Sequence, residues 1–152
     1  MGRIRDTLEL VTFSHTLFAL PFAAAAALAA AGGLPSGRAC AGILLSMVGA
    51  RTAAMAFNRI ADLKYDKENP RTATRPLVSG ALSLAWAWGV TVLAAGLFVG
   101  ACAWLLNPLC LKLSPIALLW VLGYSYAKRF TSAAHLWLGV GLGMAPVGAW
   151  AA

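Results

Sequence analysis

Long apolar runs separated by short polar connections dominate this chain. A short charged lead runs into the first apolar stretch, which continues through an alanine run to about Gly33. Four more apolar stretches follow, at 41–58, at Leu82–Leu106, at 109–127, and from near His135 onward. About 20 apolar residues are enough for an α-helix to cross a bilayer. The pattern therefore predicts an all-α bundle with about five membrane spans.

Composition supports a membrane protein. The 152 residues are 61% hydrophobic and 11% charged, more apolar surface than a soluble domain of this size buries. The net charge of +7 does not indicate nucleic-acid binding, because the cations lie between apolar runs and not on one amphipathic face. Arg3 and Arg5 before an apolar stretch also fit a cleavable secretory signal, but Asp6 and Glu9 are unusual in such a leader.

One dense polar segment, Asn58–Pro76, interrupts this pattern. Asn58, Asp62 and Asp66 are spaced i, i+4, i+8, so their side chains project from one face of a helix. Their oxygens can converge on one hard cation such as Mg²⁺. Nearby lysines and arginines suit phosphate oxygens. The segment therefore predicts a site for a metal–diphosphate complex.

The helix that carries these residues is expected to end at Asn69-Pro70, because proline disfavours helical geometry in the residue before it. The loop that follows contains Arg71 and Arg75. We expect both arginines to project over the row of carboxylates. The basic residues of the loop would then contact the phosphate oxygens of the same ligand.

Arg51 lies inside the second apolar stretch, where an arginine costs on the order of 3 kcal/mol on insertion scales. At about 100° per residue, Asn58 and Asp62 fall about 20° to either side of it. This stripe favours an Arg51 that faces a polar cavity, while an arginine that reaches to the membrane interface is the alternative.

The basic residues also predict an orientation. With five spans, three groups fall on one side: Arg3 with Arg5, the 59–75 segment, and Lys128 with Arg129. Positive residues favour the cytoplasmic side. We therefore expect an integral protein of a bacterial-type plasma membrane with its amino terminus and site loops in the cytoplasm.

Several motifs together resemble the UbiA superfamily of membrane prenyltransferases. They are AFNRIADLKYDKENPRTATRPL, with its N-x-x-x-D-x-x-x-D core, the opening SHTLFALPF, and YSYAKRFT after the fourth stretch. The pattern is most similar to 4-hydroxybenzoate polyprenyltransferases and their menaquinone-pathway relatives. The resemblance implies a bundle of about nine spans around a cavity, of which residues 1–152 are the amino-terminal part of one domain. A second aspartate-rich motif of the family is absent, which favours a fragment that inserts in the membrane and is inactive alone.

The resemblance also implies the chemistry. An Mg²⁺-dependent enzyme would transfer a polyprenyl group from an isoprenoid diphosphate to an aromatic acceptor such as 4-hydroxybenzoate, in ubiquinone or menaquinone biosynthesis. The catalytic and metal-binding residues would be Asn58, Asp62 and Asp66. The residues that neutralise the diphosphate would be Arg71, Arg75, Lys128 and Arg129. Tyr124 would be a cavity wall or hydrogen-bond donor, with an interfacial anchor as the alternative.

Other functions stay open at this point. A related prenyltransferase could use haem, chlorophyllide or a naphthoate as acceptor. An ion-binding or transport protein could also use carboxylates near a helix end, but it would not need so many cations around them. A third alternative is a scaffold of packed spans without a site. On that hypothesis, the spacing that places Asn58, Asp62 and Asp66 on one helix face would be a coincidence. The expected partners are an isoprenoid diphosphate, an aromatic acceptor and the lipid bilayer, with no nucleic acid.

Overall fold

The computed structural model describes residues 2–11 and 19–152, and the predicted all-α fold is confirmed over these ranges. The six α-helices of these ranges are α1 Arg3–Leu10, α2 Leu20–Ala31, α3 Gly37–Glu68, α4 Leu84–Trp104, α5 Pro108–Phe130 and α6 Ala134–Ala151. A 3₁₀ turn at Pro70–Thr72 lies between α3 and α4.

Three helices of the described ranges, α3, α4 and α5, are long and apolar enough to cross a membrane. The helices α2 and α6 are shorter, with 12 and 18 residues. The first predicted span also includes residues 12–18, among them His15, which lie outside the described residues. The structure thus has the apolar helices of an integral membrane protein.

Helix α3 is the central element, because it carries the predicted site and contacts both α4 and α5. It begins after Ser36, whose hydroxyl accepts a hydrogen bond from the Ala39 amide, and it ends at Glu68 as the proline predicted. Its 32 residues span about 48 Å at 1.5 Å per residue. Because the hydrocarbon core of a bilayer is only about 30 Å thick, one end of α3 extends beyond it.

Helices α3 and α4 form the most extensive helix pair, and small residues allow their close approach. Ala53, Ala56 and Ala87 are fully buried. A Cβ atom on Gly49 would lie 2.8 Å from the Phe98 backbone nitrogen and 2.9 Å from the Ala94 carbonyl oxygen. Close packing through small residues is a main source of helix association in membranes.

Gly49→Ala is therefore expected to destabilise the bundle by about 1–3 kcal/mol, because backbone atoms of α4 have to move to admit the methyl group. Gly96→Ala on α4 is the matched control, since nothing beyond its chain neighbours and the adjacent backbone of its own helix lies within 4 Å of its Cβ position. Thermal unfolding of both variants in detergent measures the difference. Equal midpoints for the two variants would contradict the close contact at Gly49.

The amino-terminal helix α1 packs beside the carboxyl-terminal part of α3. Leu10 and Val11 are buried in one apolar cluster with Leu77 and Leu82 of the segment between α3 and α4. The Trp86 indole nitrogen donates a 3.1 Å hydrogen bond to the Thr7 hydroxyl. The lead, the loop after α3 and the start of α4 therefore meet at one end of the bundle.

Helices α5 and α6 are held together by two tryptophans. Asn107 caps α5 by accepting a hydrogen bond from the Cys110 amide, directly before Pro108. The rings of Trp120 and Trp137 stack with centroids 4.2 Å apart, and each indole nitrogen donates to the other residue's carbonyl oxygen. This arrangement fixes α6 against α5, which also contacts α3.

Candidate functional site

A polar concavity of about 440 Å³ lies at the carboxyl-terminal end of α3. It is lined by Asn58, Arg59, Asp62, Asp66, Asn69, Arg71, Thr72, Arg75 and Lys128. Six of these residues are ones that the sequence assigns to metal or diphosphate binding. The predicted helix face, the loop after it and the end of α5 therefore meet in one place.

The loop after α3 folds back because side chains hold it to the last turn of the helix. The Thr72 hydroxyl donates to the Asp66 carbonyl oxygen at 2.6 Å, and the Asn69 side chain accepts from the Arg71 amide at 3.0 Å. The Arg75 amide then donates to the Thr72 carbonyl oxygen at 3.0 Å. These bonds continue the chain reversal that Pro70 begins, and they return Arg75 to the helix end.

Asp66 and Arg75 form an ion pair at this reversal. The Arg75 guanidinium donates to a carboxylate oxygen of Asp66. The Asp66 side chain is 11% exposed and that of Arg75 is 32% exposed, so water screens the pair only partly. A partly exposed arginine leaves donors that can bind a further anion in the concavity.

Two cations from the end of α5 contact Asp62, the middle residue of the row. The Lys128 ammonium donates to Asn58 Oδ1 at 2.8 Å and to Asp62 Oδ2. Arg129 donates to Asp62 Oδ1 at 3.4 Å and to the Ala61 carbonyl oxygen at 2.6 Å. The α5 residues thus cross-link α3 at the site.

Aromatic rings hold Arg129 in its position. Its guanidinium carbon lies 4.8 Å from the ring centroid of Tyr65 and 5.3 Å from that of Tyr126. Tyr126 in turn contacts Phe57 edge to face, with ring centroids 5.9 Å apart. Cation–π contacts of this kind restrict a side chain that would otherwise be flexible.

The other predicted site residues do not line the concavity. Arg129 reaches Asp62 from outside it, and Tyr124 is half-buried on α5, one turn before Lys128. Arg51 shares the helix face of Asn58 but lies seven residues, about 10 Å, earlier on α3. Its buried Nε atom has no hydrogen-bond partner among the described residues. The roles predicted for these three residues stay predictions.

Three lining residues were not assigned to the site from the sequence: Arg59, Asn69 and Thr72. Arg59 follows Asn58 directly and therefore points about 100° away from the row of carboxylates. Its Nε atom donates to the Leu10 carbonyl oxygen at 3.4 Å, which ties α1 to the site. Arg59 also lines a second cavity of about 210 Å³ beneath α1, together with Asp66 and Arg75. The sequence signal that could have identified Arg59 is its place among the basic residues of the polar segment Asn58–Pro76.

The donor atoms fit a magnesium ion. Asn58, Asp62 and Asp66 present an amide oxygen and two carboxylates to the same concavity, and Mg²⁺ prefers such hard oxygen ligands. No three His, Cys, Asp or Glu side chains within residues 2–11 and 19–152 gather as a metal cluster. Mg²⁺ is commonly bound by one or two carboxylates with water and substrate phosphates, so two carboxylates suffice.

Comparisons with known proteins agree on one family. Residues 19–152 match the UbiA prenyltransferase family. The chain is 36% identical over 115 residues to a 4-hydroxybenzoate octaprenyltransferase of Shewanella amazonensis, which covers 76% of this chain and 39% of the relative. It is 38% identical over 117 residues to a protein of the same name from Albidiferax ferrireducens, with 76% and 38% covered.

A solved structure, the apo form of a UbiA homolog from Aeropyrum pernix K1, superposes with a TM-score of 0.83 at 41% identity. The match covers 91% of this chain and 50% of that chain. The chain thus spans about two fifths of the length of these two curated relatives and half of the solved one. At 41% identity, this chain resembles the solved homolog in sequence as well as in fold.

Proposed function

We infer the function from one premise: this chain belongs to the UbiA prenyltransferase family. We propose that it forms part of an enzyme that transfers a polyprenyl group from an isoprenoid diphosphate to an aromatic acceptor, with Mg²⁺ as cofactor. The relatives named 4-hydroxybenzoate octaprenyltransferase favour 4-hydroxybenzoate as the acceptor, and hence a step in the synthesis of a membrane quinone.

One observation carries this proposal: oxygen ligands and cations line the same concavity. A diphosphate has several negative oxygens, and Arg71, Arg75 and Lys128 are near enough to one another to contact a single ligand there. Asn58, Asp62 and Asp66 would hold Mg²⁺ in the same concavity. Bound Mg²⁺ would neutralise charge that develops on the diphosphate as it leaves.

The reaction itself breaks the bond between the allylic carbon and the diphosphate oxygen. The diphosphate leaves with the electron pair, and an electron-rich ring carbon of the acceptor bonds to the allylic cation and then loses a proton. The basic side chains of the concavity stabilise the leaving diphosphate. In the full-length enzyme, aromatic and apolar walls beyond this polar lining would stabilise the cation and keep water from it.

The position of the site in the bundle suits an amphipathic substrate, with an apolar tail and a charged head. The first part of helix α3 is largely apolar, and six of its eight charged residues lie at 59–68. An isoprenoid tail would remain among the apolar spans while the diphosphate binds at the polar end. The contacts of Arg59 with Leu10 and of Arg129 with Asp62 gather the three basic groups of the chain at this end. The positive-inside rule then favours a cytoplasmic site and amino terminus in a bacterial-type plasma membrane.

The direct test is an assay of the detergent-solubilised full-length enzyme that contains this chain, with a polyprenyl diphosphate, 4-hydroxybenzoate and Mg²⁺. We expect prenylated 4-hydroxybenzoate and free diphosphate in equal amounts, and neither product when Mg²⁺ is chelated. If product forms only with a naphthoate, the proposed reaction stands, but its acceptor is a naphthoate and not 4-hydroxybenzoate. Failure to release diphosphate with any aromatic acceptor would refute the proposed reaction.

A further inference from the structure

The Lys128 ammonium contacts two of the oxygens that are proposed to bind Mg²⁺. It donates to Asn58 Oδ1 at 2.8 Å and to Asp62 Oδ2, one turn apart on α3. The side chains of Lys128 and Asp62 are 26% and 15% exposed, so the pair is largely shielded from water. The ammonium therefore lies between these two ligand oxygens.

A divalent cation binds these oxygens only weakly while the ammonium remains. The two positive charges would repel one another at a separation of a few ångströms, and they would compete for the same lone pairs. Lys128 must therefore turn away when the metal binds. Its four-carbon side chain has the freedom to do so.

The displaced ammonium needs another anionic partner, because an unpaired charge in a partly buried site is unfavourable. A diphosphate in the concavity would supply one, since Lys128 lines the same concavity as Arg71 and Arg75. The metal and the diphosphate would then each assist the binding of the other. Such assistance is a coupling free energy, and it is reciprocal.

Arg129 would not move in the same way. Its guanidinium is held by the rings of Tyr65 and Tyr126 and by the Ala61 carbonyl oxygen at 2.6 Å. It therefore continues to orient the Asp62 carboxylate when Lys128 leaves. The two neighbouring cations thus have different roles, one mobile and one fixed.

We propose that Lys128 occupies the metal position until a diphosphate arrives, so that Mg²⁺ and diphosphate bind as a coupled pair. This inference rests on the proposed function. It assigns to Lys128 a second role besides contact with the diphosphate, namely the suppression of metal binding in the absence of substrate.

The test measures binding of Mn²⁺, used in place of Mg²⁺, to the solubilised protein by water-proton relaxation at matched free Mn²⁺ concentrations. We expect inorganic diphosphate to tighten Mn²⁺ binding to the wild type by about 5- to 150-fold, the usual range of coupling between sites. Lys128→Met is expected to bind Mn²⁺ alone at least about tenfold more tightly than the wild type, because a charge-assisted contact no longer competes. The effect of diphosphate on the variant should be correspondingly small.

Lys64→Met is the matched control, because Lys64 is an exposed lysine of α3 that does not line the concavity. It removes the same charge near Asp62 without removing the contact, so its Mn²⁺ affinity should remain close to that of the wild type. Lys128→Arg keeps a cation at the position and should retain weak Mn²⁺ binding without diphosphate.

Three results would overturn the inference. The first is an Mn²⁺ affinity of Lys128→Met equal to or weaker than that of the wild type. The second is an equal gain in Lys64→Met, which would indicate a general effect of charge. The third needs only the wild type: independent binding of Mn²⁺ and diphosphate excludes the coupling even if Lys128→Met fails to fold. If the wild type binds no Mn²⁺ even with diphosphate, the proposed function fails together with the inference.

Discussion

Replacement of Asp62 by alanine in the full-length enzyme is expected to lower kcat for Mg²⁺-dependent prenyl transfer by about 10³-fold, or about 4 kcal/mol of transition-state stabilisation. Asp62 is one of the two carboxylates that line the concavity, and it accepts hydrogen bonds from both Lys128 and Arg129. Its removal takes away a proposed ligand of the metal and the group that orients both cations. Because Lys128 remains free to bind phosphate oxygens, the KM for the polyprenyl diphosphate should change far less than kcat.

Glu68→Ala is the matched control for this variant. Glu68 is an exposed carboxylate on the same helix, six residues later, and it does not line the concavity. Its loss should leave turnover close to that of the wild type. Both variants should insert in the membrane to the same extent, which extraction and size-exclusion chromatography can check. Unchanged turnover in Asp62→Ala would remove this residue from the metal site.

The parts of the fold that the sequence predicts are those set by local chemistry. Asn69 and Pro70 end α3 where the restriction before proline requires it, and Asn107 with Pro108 begins α5. The spacing of Asn58, Asp62 and Asp66 places them in one concavity because α3 is a single helix through all three. Both features follow from the helical period and from proline geometry, which depend only on residues close together in the sequence.

The pairing of charges depends on long-range packing, and the sequence does not reveal it. Asp62 contacts Lys128 and Arg129, which lie 66 and 67 residues later. The hydrophobic pattern predicts that α5 exists but not which face of it meets α3. The helical stripe likewise relates Arg51 to Asn58 by angle alone, and their separation along α3 keeps Arg51 away from the concavity. A helical period describes direction around an axis and carries no information on which neighbouring helix encloses the side chain.

The position of Arg59 shows the same dependence on long-range packing. Its side chain points away from the carboxylate row, yet the loop and α1 close around that side of α3. The basic character of the polar segment was readable, but the number of its cations that reach the ligand depends on how 70–83 folds back. That reversal is fixed by Thr72, whose hydroxyl bonds the Asp66 carbonyl oxygen.

Arg75→Ala is expected to weaken binding of the polyprenyl diphosphate by about 2–3 kcal/mol, or roughly 30- to 150-fold in Kd. Two effects act in the same direction. The variant loses a charge-assisted contact to the diphosphate, and the Asp66 carboxylate loses its Arg75 partner and repels the ligand's negative charge. Arg75→Lys keeps the charge without the planar fork and should recover part of the affinity. Lys67→Ala is the control, because Lys67 is exposed beside Asp66 and does not line the concavity. Equilibrium binding of a non-reactive diphosphate analogue measures all three, and an unaltered Kd for Arg75→Ala would exclude Arg75 from the site.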